Sequence, residues 1–226
     1  IAALRRAGVE VELAAGPAAQ AAERLLEEYL VHRRQGRALV ALKVAATLDG
    51  FIADRDGASR WVTGEAARAA GHALRARYGA ILVGAGTVLA DDPQLRLPDG
   101  DAGGPFRRCV VDGRLSIPAT ARLLSRASDG AEVLVYASPD ADPARRAALE
   151  RAGAEGVALG PPGGPMPPAA ILRDRAARGI PGLLVDCVLV VAKGRERPVE
   201  RLAFLTPDAE GKWKLDFDAF ARTVSP

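Results

Sequence analysis

Ala38-Leu39-Val40-Ala41-Leu42-Lys43-Val44-Ala45 is the stretch on which the fold turns. An almost unbroken apolar run of this kind reads as a strand covered on both faces, as in a parallel-rich sheet, because an alternating pattern is expected only where one face meets water. Downstream, Thr63 is placed to cap a helix that runs to about Tyr78, with Glu65 in its positive first turn and Gly79 as its stop. Ala80-Ile81-Leu82-Val83-Gly84 is a second buried strand, Arg108 to Asp112 a third and Glu132 to Tyr136 a fourth; Pro143 to Arg151 reads as a helix leading to Gly153, and Leu183-Leu184-Val185 closes the series. Strands alternating with helices of these lengths predict an α/β sheet with helices on both faces.

Outside this core the texture changes. Ile1 to Ala7 reads as a short helix stopped by Gly8, Val9 to Leu13 alternates like a strand, and an alanine-rich helix carries Leu25, Leu26, Tyr29 and Leu30 up to Gly36. Residues 1–37 are therefore expected to be the end of one domain and a linker helix, 38–185 the core, and 186–226 a divergent tail. In the tail, Leu202 to Leu205 and Trp213 to Phe217, separated by a turn at Asp208 to Gly211, predict a β-hairpin. Pro161 to Pro168 reads as a surface loop.

With 226 residues, 49% hydrophobic and 26% charged, the chain has enough material for one packed α/β domain plus an appendage. The net charge of +3 is spread through arginines interleaved with Asp and Glu, without a basic tract, so no nucleic-acid partner is expected. A modest positive balance does suit a phosphorylated ligand. Cys109 and Cys187 lack metal-ligand spacing, so neither a disulfide framework nor a metal site is indicated. No apolar run approaches the roughly 20 residues a bilayer requires, which points to no membrane partner and to the cytoplasm. Ile1 at the start and a single methionine, Met166, read as a piece of a longer chain.

The polar clusters that matter follow the first two core strands, where open α/β sheets place ligands. Gly84 and Gly86 let the backbone turn and approach a ligand, and Thr87 is placed to cap a short helix whose amides hold an anion; taken alone, this pair of glycines reads more readily as a structural turn, since Gly84-x-Gly86-x-x-Leu89 lacks the third glycine of a dinucleotide fingerprint. Asp91-Asp92-Pro93 reads as a helix end. Trp61 alone reads as a core or lid residue. Lys43 within an apolar strand is either paired with a carboxylate or ligand, or a snorkelling edge-strand lysine.

Taken together, Leu42 to Gly50, Ser59-Arg60-Trp61-Val62-Thr63-Gly64 and Gly86-Thr87-Val88-Leu89-Ala90-Asp91-Asp92-Pro93-Gln94-Leu95 resemble the reductase domain of the bacterial riboflavin-biosynthesis deaminase/reductases in content, order and spacing. The resemblance covers about residues 38–185. It implies a dihydrofolate-reductase-like three-layer α/β fold, incomplete at its C-terminal end. It also implies NADPH-dependent reduction of 5-amino-6-(5-phosphoribosylamino)uracil to the ribitylamino product. By matching position it assigns Ala45, Trp61, Thr87 and Asp91 to NADPH, and Ser59, Arg75 and Leu95 to the phosphoribosylaminopyrimidine substrate, with Arg75 on its phosphate. Lys43 and Asp91 are the candidates for steering protons. The segment Leu4-x-x-Ala7-Gly8-Val9-x-Val11 resembles the end of the family's deaminase domain, but the zinc-binding elements of that domain are missing, so deamination is not expected.

Two departures stand out. The family's arginine after Leu95 is replaced by Arg96 if two residues are deleted, since Pro98 stands at the usual spacing. The family's Glu-Gly-Gly reads Asp186-Cys187-Val188 here, so Asp186 keeps a substrate-binding carboxylate while side chains stand where glycines approach phosphate. The alternative reading is therefore a catalytically inactive nucleotide-binding or assembly module; a pterin reductase ranks below both. The resemblance further implies a homodimer.

Overall fold

The computed structural model describes residues 1–45, 63–97, 106–125, 131–186, 205–207 and 213–215. Helices α1 (Ala2–Arg6), α2 (Gly16–Leu25) and α3 (Glu27–Gln35) come first. Gly8, at φ 78°, and Gly36, at φ 61°, occupy the left-handed region at the points where the sequence marks helix stops. Val9 to Leu13 does not form the expected strand: the segment runs as a connection from α1 to α2, because no strand among the described residues pairs with it to satisfy its ladder.

The core alternates β1 (Leu39–Lys43), α4 (Glu65–Arg77), β2 (Ala80–Gly84), α5 (Ala85–Asp91), β3 (Arg107–Val111), β4 (Glu132–Ala137), α6 (Pro143–Arg151), β5 (Ala154–Ala158), α7 (Pro168–Ala177) and β6 (Gly182–Asp186). The six strands form one parallel sheet in the order β1-β6-β2-β3-β4-β5. The last strand thus returns to lie between the first two. Along the strands the period-two alternation of side chains splits the core. Ile81, Val83, Val110, Val133 and Val135 join Val88 of α5 and Leu149 of α6 on one face. Ala80, Cys109, Leu134, Tyr136 and Leu183 meet Ile171 and Leu172 of α7 on the other. Helices therefore cover both faces, as the sequence predicts.

Several local readings are corrected. Thr63 does not cap α4; Gly64 occupies the N-cap without a side-chain bond. Thr87 does not cap α5 either: Gly84 does, which puts Thr87 within the helix at 7% exposure. The first strand is not covered on both faces but lies at the edge of the described sheet, with Val40 37% exposed. β5 and α7 are elements that the sequence reading passed over. The hairpin is present as β7 (Leu205–Pro207) paired antiparallel with β8 (Trp213–Leu215), its first strand later than the 202–205 expected. No helix among the described residues is long and apolar enough to cross a membrane.

A polar network runs through the second core layer. Arg175, fully buried, donates from Nη2 to Asp174 Oδ2 at 2.7 Å and from Nη1 to Cys109 Sγ at 3.6 Å, and its guanidinium lies 5.3 Å from the centre of the Tyr136 ring. Tyr136 Oη donates to the same Asp174 oxygen at 2.7 Å, and Arg178 Nε donates to Asp174 Oδ1 at 3.0 Å. Burial pushes the Cys109 thiol up to about 11, with Arg175 opposing, so this cysteine stays a protonated, inert packing group.

Candidate functional site

Because all six strands are parallel, their carboxyl ends share one edge, and the polar side chains gather there. Lys43 ends β1 and Asp186 ends β6, and the register pairs them directly. Lys43 Nζ donates to Asp186 Oδ1 at 3.1 Å, the amine 30% and the carboxylate 13% exposed. Both readings of this lysine hold at once: it lies on an edge strand and it has a carboxylate partner. Arg75, on α4, brings Nη2 to 3.7 Å from Asp186 Oδ2, and its Nη1 donates to the Arg96 carbonyl at 3.0 Å. One carboxylate thus holds two cations, one on each oxygen. Burial lowers Arg75 from its ordinary value and Asp186 opposes this; a guanidinium remains charged regardless.

His72 sits one turn before Arg75 on α4 and was missed from sequence. Burial first, then Arg75 and Lys43, hold its imidazole below the ordinary 6.5, with Asp186 pulling the other way. A histidine three residues from an arginine assigned to phosphate, on one predicted helix face, was the available signal.

A concavity of ≈ 720 Å³ opens at the carboxyl ends of β2, β3 and β4, lined among others by Ala85, Asp112, Arg114, Ser138, Asp140 and Gly163. Its walls are tied by local bonds. Asp112, buried, accepts from the Ser116 hydroxyl at 3.0 Å and the Ile117 amide at 2.8 Å. Gly163 N donates to Asp140 Oδ1 at 3.0 Å, and the Ser138 hydroxyl donates to the same oxygen. Ser138 and then Gly163 hold the Asp140 carboxyl below its ordinary value, so it is charged at neutral pH. None of these lining residues was singled out in the sequence.

The residues expected at the site fall into three groups. Lys43, Arg75, Asp186 and the Arg96 backbone converge. Ala45 lies half-buried just past β1; Thr87 and Asp91 lie on α5, Thr87 buried and Asp91 half-buried beside the C-cap Asp92. Leu95, at φ 50° and 4% exposed, has its side chain within the first core layer and gives its carbonyl to Arg108 at 3.4 Å. Ser59 and Trp61 lie outside the described residues, as do Cys187 and Val188. Among the described residues no group of three or more His, Cys, Asp or Glu side chains is arranged to hold a metal ion.

The arrangement gathers two cations, Arg75 and Lys43, around one carboxylate on the same edge of the sheet as the cleft, donors that suit an anionic ligand. Comparison with known proteins identifies the family. Residues 38–193 match the family model of the RibD C-terminal domain. The riboflavin biosynthesis protein RibD of Chlamydia trachomatis is 43% identical over 132 residues, 57% of this chain and 34% of that protein. RibD of Mycobacterium tuberculosis is 46% identical over 123 residues, 53% of this chain and 34% of that protein. The chain spans about a third of the length of these curated relatives. Among solved structures, Acinetobacter baumannii RibD superposes with a TM-score of 0.65 at 30% identity, covering 81% of this chain and 48% of that one. A diaminohydroxyphosphoribosylaminopyrimidine deaminase/5-amino-6-(5-phosphoribosylamino)uracil reductase from Thermotoga maritima gives 0.62 at 33% identity, covering 82% and 48%. With its dihydrofolate-reductase-like α/β fold and a match over most of its length, the chain belongs to the RibD C-terminal domain family.

Proposed function

We propose that this chain catalyses the NADPH-dependent reduction of 5-amino-6-(5-phosphoribosylamino)uracil to its ribitylamino product in riboflavin biosynthesis. The observation that carries this reading is the Lys43–Asp186–Arg75 cluster on the carboxyl edge of the sheet. A phosphate monoester suits Arg75, whose planar guanidinium gives two parallel donors. Asp186 orients it, and the Arg96 carbonyl fixes its other nitrogen.

The residues present fit a nicotinamide cofactor. Apart from chain neighbours, no atom of the described residues stands within 4 Å of where a Cβ would sit on Gly84 or Gly113, so packing among them does not demand glycine at either place. Gly113 lines the cleft, where a bare backbone allows close approach of a ligand. Ala45, Thr87 and Asp91 are the residues that would hold the cofactor, together with Trp61. When bound, NADPH supplies the hydride that the substrate's C1 accepts.

The protein's part is proton handling and alignment. Opening of the ribosyl ring is driven by the lone pair of the glycosidic nitrogen, and the departing ring oxygen requires a proton. The Lys43 ammonium, hydrogen-bonded to Asp186, is the donor at hand. Asp186 holds that amine in place through the hydrogen bond, and Asp91 is the second proton-steering group. Binding of the phosphate at Arg75 fixes the sugar relative to both.

Calorimetric titration with NADPH, with NADH alongside, tests the reading directly. Saturable binding that prefers NADPH is expected, weakened about fivefold by Thr87→Ala, the equivalent of ~1 kcal/mol for one lost hydrogen bond. A folded sample that binds neither nucleotide would establish the non-catalytic alternative instead.

A further inference from the structure

We propose that His72 is a further ligand of the substrate's phosphate, taking up a proton as the phosphate monoester settles beside Arg75 and Lys43. The inference rests on the reading above, in which Arg75 anchors that phosphate. It is carried by the way α4 lies over the strand ends. A Cβ placed on Gly71 would stand 3.4 Å from Lys43 Cε, so the turn containing Gly71 and His72 rests against the lysine stem. Residues three apart share a helix face, so His72 and Arg75 project to the same side. His72 remains exposed, so a ligand entering from solvent can reach it.

Charge sets the chemistry. Lys43 and Arg75 bring two positive charges, and Asp186, bound to both, cancels one. A phosphate monoester carries about −1.5 to −2 near neutral pH. The resting cluster is therefore short of about one positive charge for a dianion. Among the described residues facing His72, α4 contributes Arg68 and Arg75, β1 contributes Lys43 and β6 contributes Asp186. The three cations disfavour a proton on the imidazole, Asp186 favours it, and a dianion arriving among them reverses the balance. The imidazole is thus neutral in the free protein at pH 7 and gains its charge with the ligand. This selects a dianionic phosphate over a monoanion or a neutral hydroxyl, since only the dianion draws in the extra proton. By linkage, proton and anion strengthen each other's binding by the same factor.

Sulfate is a suitable probe, because its charge does not change across the working pH range. The chain has only two histidines, His32 and His72, so proton NMR resolves each ring. His32, whose Nε2 contacts the Ala176 carbonyl at 3.0 Å, is an internal control. Saturating sulfate, compared with chloride at equal ionic strength, is expected to raise the proton affinity of His72 about tenfold and leave His32 unmoved. Sulfate should bind about tenfold more tightly at pH 5.5 than at pH 8, and His72→Asn should remove most of that gain while leaving the pH 8 affinity intact. Sulfate binding that needs Arg75 but leaves the His72 titration and its Asn variant unchanged would overturn the proposal and leave the assigned reaction standing. Absence of anion binding in the folded protein, as in Arg75→Gln, would remove both.

Discussion

Arg75→Gln is expected to raise KM for the phosphorylated substrate about 100-fold while changing kcat little. A charge-assisted hydrogen bond contributes ~1.5–3 kcal/mol, and loss of a bidentate pair to phosphate removes ~3 kcal/mol or more, which is a factor of about 100 in affinity. The arginine is well placed for that loss to be specific, because its side chain is 15% exposed and already directed by Asp186 and the Arg96 carbonyl. Binding energy from a group remote from C1 is shared by ground and transition states, so the effect falls on KM. Arg75→Lys should recover only part of it, since a single ammonium lacks the paired donors. Steady-state kinetics with the substrate and its dephosphorylated analogue decide the matter. If the variant handles both as the wild type does, Arg75 is not the phosphate anchor.

The largest effect on stability is expected from Asp174→Ala, at about 3–5 kcal/mol, because it strips the carboxylate from the fully buried Arg175 and leaves an uncompensated charge. The same change takes the acceptor from Tyr136 Oη and from Arg178. Asp174→Ala combined with Arg175→Met should recover much of the loss, since both members of the pair then disappear. Urea unfolding of the single and double variants measures this; a single variant within 1 kcal/mol of wild type would show that the network contributes little. Acid should act on the same group. Desolvation raises the Asp174 carboxyl, but hydrogen bonds from Arg175, Tyr136 and Arg178 outweigh it and the folded value lies below the ordinary 3.8. A depressed carboxylate stabilises the fold fully above its unfolded value, so this contribution holds above about pH 4 and fades as pH falls below 3.8 toward the folded value.

Much of the sheet was legible because apolar runs such as Ile81 to Val83 and Val133 to Val135 admit few other readings. β5 escaped because Ala154-Glu155-Gly156-Val157-Ala158 is a half-exposed edge strand with one sizeable apolar side chain. α7 escaped because the Pro161 to Pro168 loop runs straight into it, although Pro168 in the first turn and the buried set Ile171, Leu172, Arg175 and Ala176 are helix signals. The capping roles given to Thr63 and Thr87 failed for a common reason: glycine precedes each helix at the N-cap, and which residue begins a helix depends on where the preceding chain leaves the sheet. At the site, the family resemblance singled out Lys43, Arg75 and Asp186, which the structure brings together at the carboxyl ends of the strands. That Lys43 and Asp186 face each other depends on β6 inserting beside β1, which no local pattern encodes.

That insertion also governs the order in which the domain assembles. Lys43 and Asp186 are 143 residues apart in sequence, whereas β2, β3 and β4 each pair with the next strand along the chain. Closing a loop roughly fivefold longer costs about 1.5 kcal/mol more in chain entropy, so the β1–β6 seam closes late and opens early. Residues drawn from both ends of the core meet only when this seam zips. The Lys43–Asp186–Arg75 cluster is therefore absent from any partly folded form that holds only β2 to β5, and a ligand bound there would act as a clamp on an edge strand of the sheet.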